Sequence, residues 1–333
     1  MATYKAEFLA HYYDRRLRPR DAYAMGMIYW WSRLASVAPR VVNSVTGLPG
    51  LSTLSKMLAG IDRRRSIPRF APKTFRARVQ DRQAVETGSG DVILWPDTFN
   101  NNFFPDTLTA AHEVLDALGF RVHVPERSFC CGRPLYDFGM LRLARRQLKQ
   151  ILVVMSRRIA AGIPIIVLEP SCASVFRDEM LQLFPDNQDA VRLSRQVFLL
   201  DEFIEQFSPD YSWPRLSRQA LVHLHCHRQS VLKGVETDTV LGRAGIDAEI
   251  LHEGCCGMAG AFGFTCGHYD VSTQVGERAL LPRVRASAPE TLVIADGFSC
   301  REQIAQLTDR RPLHTAEALW MALQNGSSTA SVG

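Results

Sequence analysis

Eight cysteines stand in the 333-residue chain, and seven of them fall into two matching sets. Cys130-Cys131-Gly132 is followed downstream by Ser171-Cys172. Cys255-Cys256-Gly257 is followed by Ser299-Cys300, and Cys226 precedes it. Thiolates gathered from such positions can hold an iron–sulfur cluster or a tetrahedral zinc ion. A lone adjacent pair would carry little weight, because cysteine often serves as a small buried hydrophobe. Repetition of the whole set at equivalent places is what points to ligation. The glycine after each pair lets the backbone turn sharply and approach an inorganic core. A helix is expected after each Cys-Cys-Gly, its N-terminal dipole aimed at the sulfurs and favouring thiolate.

The second set is the fuller one. Cys226, Cys255, Cys256 and Cys300 are the expected metal ligands of one main site. In the first set Cys130, Cys131 and Cys172 lack a fourth thiol, and Asp97, in Trp95-Pro96-Asp97-Thr98, takes the place of Cys226. These three either complete a site shared between the copies or are a degenerate remnant. Cys266 has no counterpart and is expected not to be a ligand. His223, His225 and His227 alternate around Cys226, and a strand period of two would place them on one face. An imidazole there could replace a thiolate and raise a cluster's potential. The plainer reading is histidines hydrogen-bonded near a strand end, and His252 has the same standing. Gly257, Gly260 and Gly263 with Phe262 make a glycine-rich turn whose spacing is wrong for dinucleotide binding. Its expected role is close packing. No general acid or base stands out among the acids, with Asp201, Glu202, Glu205 and Asp238 scattered. A thiol–disulfide site at Cys130/Cys131 or Cys255/Cys256 ranks last, because adjacent cysteines form only strained disulfides.

The elements that must bring these residues together follow from periodicity. Val92–Trp95 reads as a buried strand, 106–118 as a helix stopped by Gly119, and 121–124 as a strand. Residues 136–162 read as a long helix and 165–168 as another strand. The same order returns with strands at 220–224, 248–251 and 292–295 and helices at 236–244, 269–287 and 314–324. This βαβ pattern implies parallel sheets. The fold class is therefore α/β: two duplicated βαβ-type domains, 92–207 and 219–325, behind a leader over 1–91. Loops at the carboxyl ends of parallel strands gather on one edge, and every paired cysteine lies in such a loop.

The leader reads as helices over 1–61 and a basic, proline-containing linker over 62–91. Residues 1–82 hold 16 basic and 5 acidic residues, the remainder 23 and 29. Such a basic leader is either a solvated face or a docking surface for an acidic partner or anionic lipid. Nucleic acid is not expected, since no zinc-finger spacing or stacking pattern accompanies the charge. Ala22–Ala38 is nearly all apolar yet carries Arg33 and is too short to span a bilayer. It reads as a helix packed on the body or lying at an interface. The N-terminus lacks the apolar core of a secretory signal. The expected location is cytoplasmic, or peripheral at the inner membrane face, a compartment where cysteines serve ligation rather than disulfides.

The pattern Cys…Cys-Cys-Gly…Cys resembles the cysteine-rich CCG domain of heterodisulfide reductase, the glycolate oxidase iron–sulfur subunit and lactate-utilisation proteins. The stretch from Leu224-His225-Cys226-His227 through Cys255-Cys256-Gly257-Met258-Ala259-Gly260 to Gly297-Phe298-Ser299-Cys300 is similar to the C-terminal part of FAD-linked D-2-hydroxy-acid dehydrogenase fusions, those for D-lactate or D-2-hydroxyglutarate. The resemblance implies an iron–sulfur electron-transfer module, carrying a 4Fe-4S cluster. FAD would lie only on a partner or a further domain with ferredoxin-type clusters, and the acceptor would be a quinone or a soluble carrier. The Trp30-Trp31 helix would dock the flavin-bearing part, and the chain alone would oxidise nothing. The family's fullest motif ends in Cys-x-x-Cys; Glu169 and Gly297 stand at the first of those positions here. No ferredoxin-type cysteine run is present in the sequence. The alternative from another class is a zinc-binding structural or interaction module using the same cysteines.

Overall fold

A computed structural model describes residues 2–79, 90–232, 236–252 and 254–330. Among the described residues seven strands form two all-parallel sheets. The first has the order β2-β1-β3-β4 and the second β6-β5-β7. Their ranges are β1 Gly90–Trp95, β2 Phe120–His123, β3 Ile165–Val167, β4 Val197–Phe198, β5 Arg218–His223, β6 Ile246–Leu251 and β7 Leu292–Ala295. The central strands are continuous apolar runs, Val92-Ile93-Leu94-Trp95 and Ala220-Leu221-Val222, buried on both faces as helix-covered parallel strands must be.

Alternation along each strand divides the core. Val92 and Leu94 of β1 and Ala220 and Val222 of β5 share one apolar layer, which also holds Leu108, Ala111, Phe203, Leu241 and Leu319. This layer joins the two copies through helices Pro105–Ala117, Leu200–Phe207, Glu236–Arg243 and Thr315–Ala330. Ile93 and Trp95 point the other way, into an outer core closed by Leu148, Met155 and Phe176. Leu221 and Val293 do the same in the second copy, against Leu280, Val284 and Ile304.

The sequence shows three strands per copy; the structure adds β4, which pairs Val197 and Phe198 with Ile165 and Ile166. In the second copy its place is taken by a single bridge, Ile294 to Leu313, with Leu313 exchanging backbone hydrogen bonds with Val293 and Ala295. A two-residue strand is too short to leave a periodic signal.

Two expected long helices are broken. The 136–162 stretch becomes Arg133–Asp137 and Leu141–Ala160, separated at Gly139. Gly139 has φ +66°, and a Cβ there would lie 2.6 Å from Leu9 Cβ, so the first leader helix seats directly on this break. Arg18 caps it, donating to the Phe138 carbonyl at 2.6 Å and the Gly139 carbonyl at 2.9 Å. The 269–287 stretch becomes Tyr269–Glu277 and Leu280–Ala286.

The leader forms five short helices between Ala2 and Ala59. The apolar 22–38 stretch is interrupted at Met27 and packs on the body: Trp30 and Met27 lie against Ala22, Leu135, Met140 and Ala144. Trp31 remains half exposed and donates its indole N–H to the Tyr23 carbonyl. The linker is not wholly extended, since Phe75–Val79 is helical and Phe75 is fully buried; residues 80–89 lie outside the described residues. No helix of the described residues is long and apolar enough to cross a membrane.

Candidate metal centre

Equivalent positions in the two copies can be read from the strand registers. Ile93, Leu94 and Trp95 pair with Ile165, Ile166 and Val167; Leu221, Val222 and His223 pair with Val293, Ile294 and Ala295. Counting outward from these rungs, Cys172 matches Cys300, and Thr98 matches Cys226, each of the latter two opening a helical turn after its strand. The place of Cys226 in the first copy therefore belongs to Thr98, and the assignment to Asp97 is off by one residue. Asp97 corresponds to His225, Trp95 to His223 and Glu169 to Gly297.

In the second copy the four thiols form a chain from surface to interior. Cys226 is exposed, Cys255 half-buried, and Cys256 and Cys300 buried. Cys226 shares a hydrogen bond with Cys255, Cys255 with Cys256, and Cys256 with Cys300, where the sulfurs are 3.3 Å apart. Two compact trios lie along it, each with its ligand atoms within 4.8 Å: His223, Cys256 and Cys300, and His225, Cys226 and His227. The three histidines thus do not share a strand face. β5 ends at His223, and the chain turns before His225 and His227, whose rings stack at 5.1 Å.

Electrostatics separate the two copies. The Cys255 thiol is pulled down by hydrogen bonds from Cys226 and Cys256, helped by the Gly257 N–H and His223. Cys300 is pulled down by its hydrogen bond from Cys256 and by His223 and His225. Cys226 and Cys256 are pushed up as the donors to these thiolates. His223 is 3% exposed and its Nδ1 has no hydrogen-bond partner; burial opposes its charge, but the Cys300 thiolate outweighs this and raises it. His227 is held neutral, pushed down to about 3 by burial, then Arg133 and His225. A buried nitrogen without a partner beside two thiols fits a ligand or a hydrogen-bond donor to a metal-bound sulfur.

In the first copy all three thiols are raised. Cys130 is raised by its hydrogen bond to Cys131 and by burial, Cys131 by burial above all. The Cys131 hydrogen bond pulls Cys172 down, but burial with Asp97 and Glu169 leaves it at about 12. Acids stand here where the second copy has a histidine and a glycine. The Cys131 and Cys172 sulfurs approach to 2.9 Å, the counterpart of the Cys256/Cys300 pair in the second copy. Glu169 caps the helix Pro170–Ser174 and accepts from the Phe298 N–H of the second copy at 2.8 Å.

Gly297 shows what replaced the missing side chain. A Cβ there would sit 2.2 Å from His225 Cδ2 and 3.0 Å from its Nε2, so the imidazole occupies that volume. Gly257 has φ +88°, and its missing Cβ would fall 2.0 Å from the Ser272 carbonyl oxygen. The expected helix follows Gly132 but not Gly257, where Ala259 and Gly260 also take positive φ and a turn leads into a 3-10 segment at Phe262–Phe264. Cys266 lies off this constellation, its thiol donating to the Ile61 carbonyl, and His252 is exposed.

Sequence reading missed Arg65. It comes from the basic linker, is fully buried, and donates to the Gly263 carbonyl, Gln303 Oε1 and Ser272 Oγ at 2.7–2.9 Å. All three acceptors are neutral, and its charge acts on Cys256. Asp62 also acts on Arg65, but no carboxylate accepts its hydrogen bonds, so part of its charge is left to offset negative charge at the thiol site. Its only sequence signal is the Arg-Arg-Arg run at 63–65, which does not say which member turns inward.

Residues 97–177 and 220–304 each match the cysteine-rich domain family, CCG. The chain is a CCG-domain protein. It is distantly homologous to a subunit of the anaerobic glycerol-3-phosphate dehydrogenase of Escherichia coli (strain K12), at 28% identity over 85% of this chain and 72% of the relative. D-2-hydroxyglutarate dehydrogenase of Pseudomonas putida is 23% identical over 95% of this chain. The CCG-domain protein spans only 32% of that enzyme's length. Lactate utilization protein A 2 of Bacillus cereus is 25% identical over 68% of this chain and 97% of its own. The relatives named as dehydrogenases are oxidoreductases, of which the CCG-domain protein matches a subunit in one case and part of the chain in the other.

Proposed function

We propose that the protein is an iron–sulfur electron-transfer module of an FAD-linked dehydrogenase acting on a 2-hydroxy acid or similar substrate. Cys226, Cys255, Cys256 and Cys300 are its cluster ligands, the cluster is of 4Fe-4S type, and Cys130, Cys131 and Cys172 form a companion thiol site. A bound cluster would supply one-electron storage. The chain's own residues do the rest: the thiols ligate, Arg65 and the histidines offset negative charge, and packed Gly257 brings the backbone close. The exposed Cys226 end is where electrons enter or leave, between a flavin- and ferredoxin-bearing polypeptide and a quinone or other acceptor. The carrying observation is the contrast between the copies. In the second, His223 lies with Cys256 and Cys300, and His225 and His227 lie with Cys226; Cys255 and Cys300 are drawn down while their donors Cys226 and Cys256 are raised. In the first, among the described residues no histidine joins the thiols, Asp97 and Glu169 stand near Cys172, and all three thiols are raised. This supports one cluster, in the second copy. The domain limits in this reading are a leader over 1–91 and copies over 92–207 and 219–325. A cytoplasmic, or membrane-peripheral, location belongs to the same reading.

Zinc remains the second reading on one observation, the compact imidazole–thiol trios, which suit a four-coordinate ion. Iron and acid-labile sulfide analysis of anaerobically purified protein separates the two. The proposal expects about four irons and four sulfides per chain, lost in Cys256→Ser and Cys300→Ser and kept in Cys266→Ser. One zinc without sulfide, or a cluster that survives Cys300→Ser, overturns it.

A further inference from the structure

A cavity of about 310 Å³ lies where the leader meets the first copy. Tyr29 and Trp30 of the leader, Phe129, Cys130, Arg146 and Gln147 line it. It opens into a wider groove of about 790 Å³, with which it shares Tyr29, Arg33, Phe129, Arg146 and Gln150. The size is that of a small-molecule site, with aromatic walls beside the polar side chains Arg33, Arg146, Gln147 and Gln150.

Three features define what would fit. Aromatic rings from both segments, Trp30 and Tyr29 from the leader and Phe129 from the first copy, offer faces and edges to a planar ring. Gln147 is 8% exposed, and neither its Oε1 nor its Nε2 has a hydrogen-bond partner. A buried amide with both a donor and an acceptor unmet costs stability unless a ligand supplies the complement, an adjacent C=O and N–H. Cavity and groove together carry Arg33, Arg76, Arg127, Arg146 and Lys149 against the single acid Glu126. Among the described residues none of these five cations makes an ion pair, and Arg33 is held in place by the Tyr29 hydroxyl at 3.2 Å, itself donating to the Ser128 carbonyl at 2.7 Å. Preset, uncompensated guanidinium groups suit a phosphate.

We propose that this cavity binds a planar heterocycle with a lactam edge and a phosphate arm, a ligand of the mononucleotide class. The ring lies between Trp30 and Phe129 with its lactam on Gln147 and one edge towards Cys130; the phosphate reaches Arg33 and Arg146 at the mouth. A neutral dicarbonyl ring such as a quinone would leave the Gln147 acceptor unmet and the cations unused. The inference stands on the cavity's residues alone and does not depend on whether the second copy holds iron.

The test is calorimetric titration of the full chain with flavin mononucleotide, uridine monophosphate, menadione and inorganic phosphate, with Trp fluorescence followed in parallel. One saturable site per chain is expected for at least one of the two nucleotides, with quenching of tryptophan emission and weakening as salt rises. Gln147→Leu and Arg146→Gln should each weaken it at least about tenfold, a difference of about 1.4 kcal/mol. Arg157→Gln, exposed on the same helix but outside the cavity, should leave it unchanged. Arg146 is itself exposed, so its variant keeps the test open even where Gln147→Leu misfolds. The proposal fails if neither nucleotide saturates, if phosphate alone binds as tightly, if menadione binds and the nucleotides do not, or if Arg146→Gln leaves nucleotide affinity unchanged.

Discussion

The two Cys-Cys-Gly glycines look interchangeable in the sequence and should behave very differently when given a methyl group. Both adopt left-handed backbone, Gly132 at φ +83° and Gly257 at φ +88°. Alanine at either position therefore carries the strain of an L-residue in that region, about 1–2 kcal/mol. At Gly132 the added Cβ meets Ala144 at 3.4 Å, ordinary van der Waals contact, so little more is expected. At Gly257 it falls 2.0 Å from the Ser272 carbonyl oxygen and 2.9 Å from its carbon. That carbonyl belongs to helix Tyr269–Glu277 and accepts the Gln303 amide, so it cannot move alone. Overpacking of this kind adds about 1–3 kcal/mol. Gly257→Ala should then cost about 2–5 kcal/mol in all and Gly132→Ala about 1–2. Urea denaturation of both variants, read by circular dichroism, measures the difference, and iron content measures whether the second-copy site survives. Equal losses, or a larger loss for Gly132→Ala, would refute the close-approach reasoning.

Arg65→Met keeps length but removes a buried charge from three neutral acceptors; it should cost about 3 kcal/mol or more and, in iron-loaded protein, lower the midpoint potential, so a redox titration showing no change or a rise contradicts the charge-offset role. Gly297→Ala places a methyl in the His225 ring and should cost about 1–3 kcal/mol; His225→Ala in the same chain should recover most of that loss, and a purely additive double variant would show the two do not compete for space. Asp97 sits at about 6, raised from 3.8 by burial and then by Glu169. Its folded value exceeds the unfolded one, so the folded state takes up the proton first: stability rises as pH falls from about 6 to about 4, and above that window the charge costs about 3 kcal/mol. Asp97→Asn, which keeps a side-chain oxygen for the Phe99 and Asn100 N–H groups, should flatten that slope in denaturation measured from pH 4 to 8; an unchanged slope would mean another group sets it.

Much of the fold was legible because it rests on local signals. Apolar runs of four, such as Ile165-Ile166-Val167-Leu168, bounded by turn residues, mark buried parallel strands, and helices between them force the crossovers. The duplication and the convergence of Cys226, Cys255, Cys256 and Cys300 at strand ends follow from that order alone. What was missed has short or remote causes. β4 is two residues long; Gly139 breaks a helix because Leu9, far away in sequence, needs the space. The one-residue shift from Asp97 to Thr98 is invisible without the rungs that pair β1 with β3 and β5 with β7.

Residue types and spacing by themselves determined that thiols would gather, because ligand chemistry and strand alternation are both short-range properties of the chain. That Cys255 and Cys300 are drawn down while Cys130, Cys131 and Cys172 are raised was decided only by the tertiary structure. A thiol's charge depends on whatever lies within a few ångströms, and those neighbours arrive from distant segments: Arg65 from the linker, His223 from a strand end, His225 folded into the space above Gly297, and Asp97 with Glu169 on the opposing side.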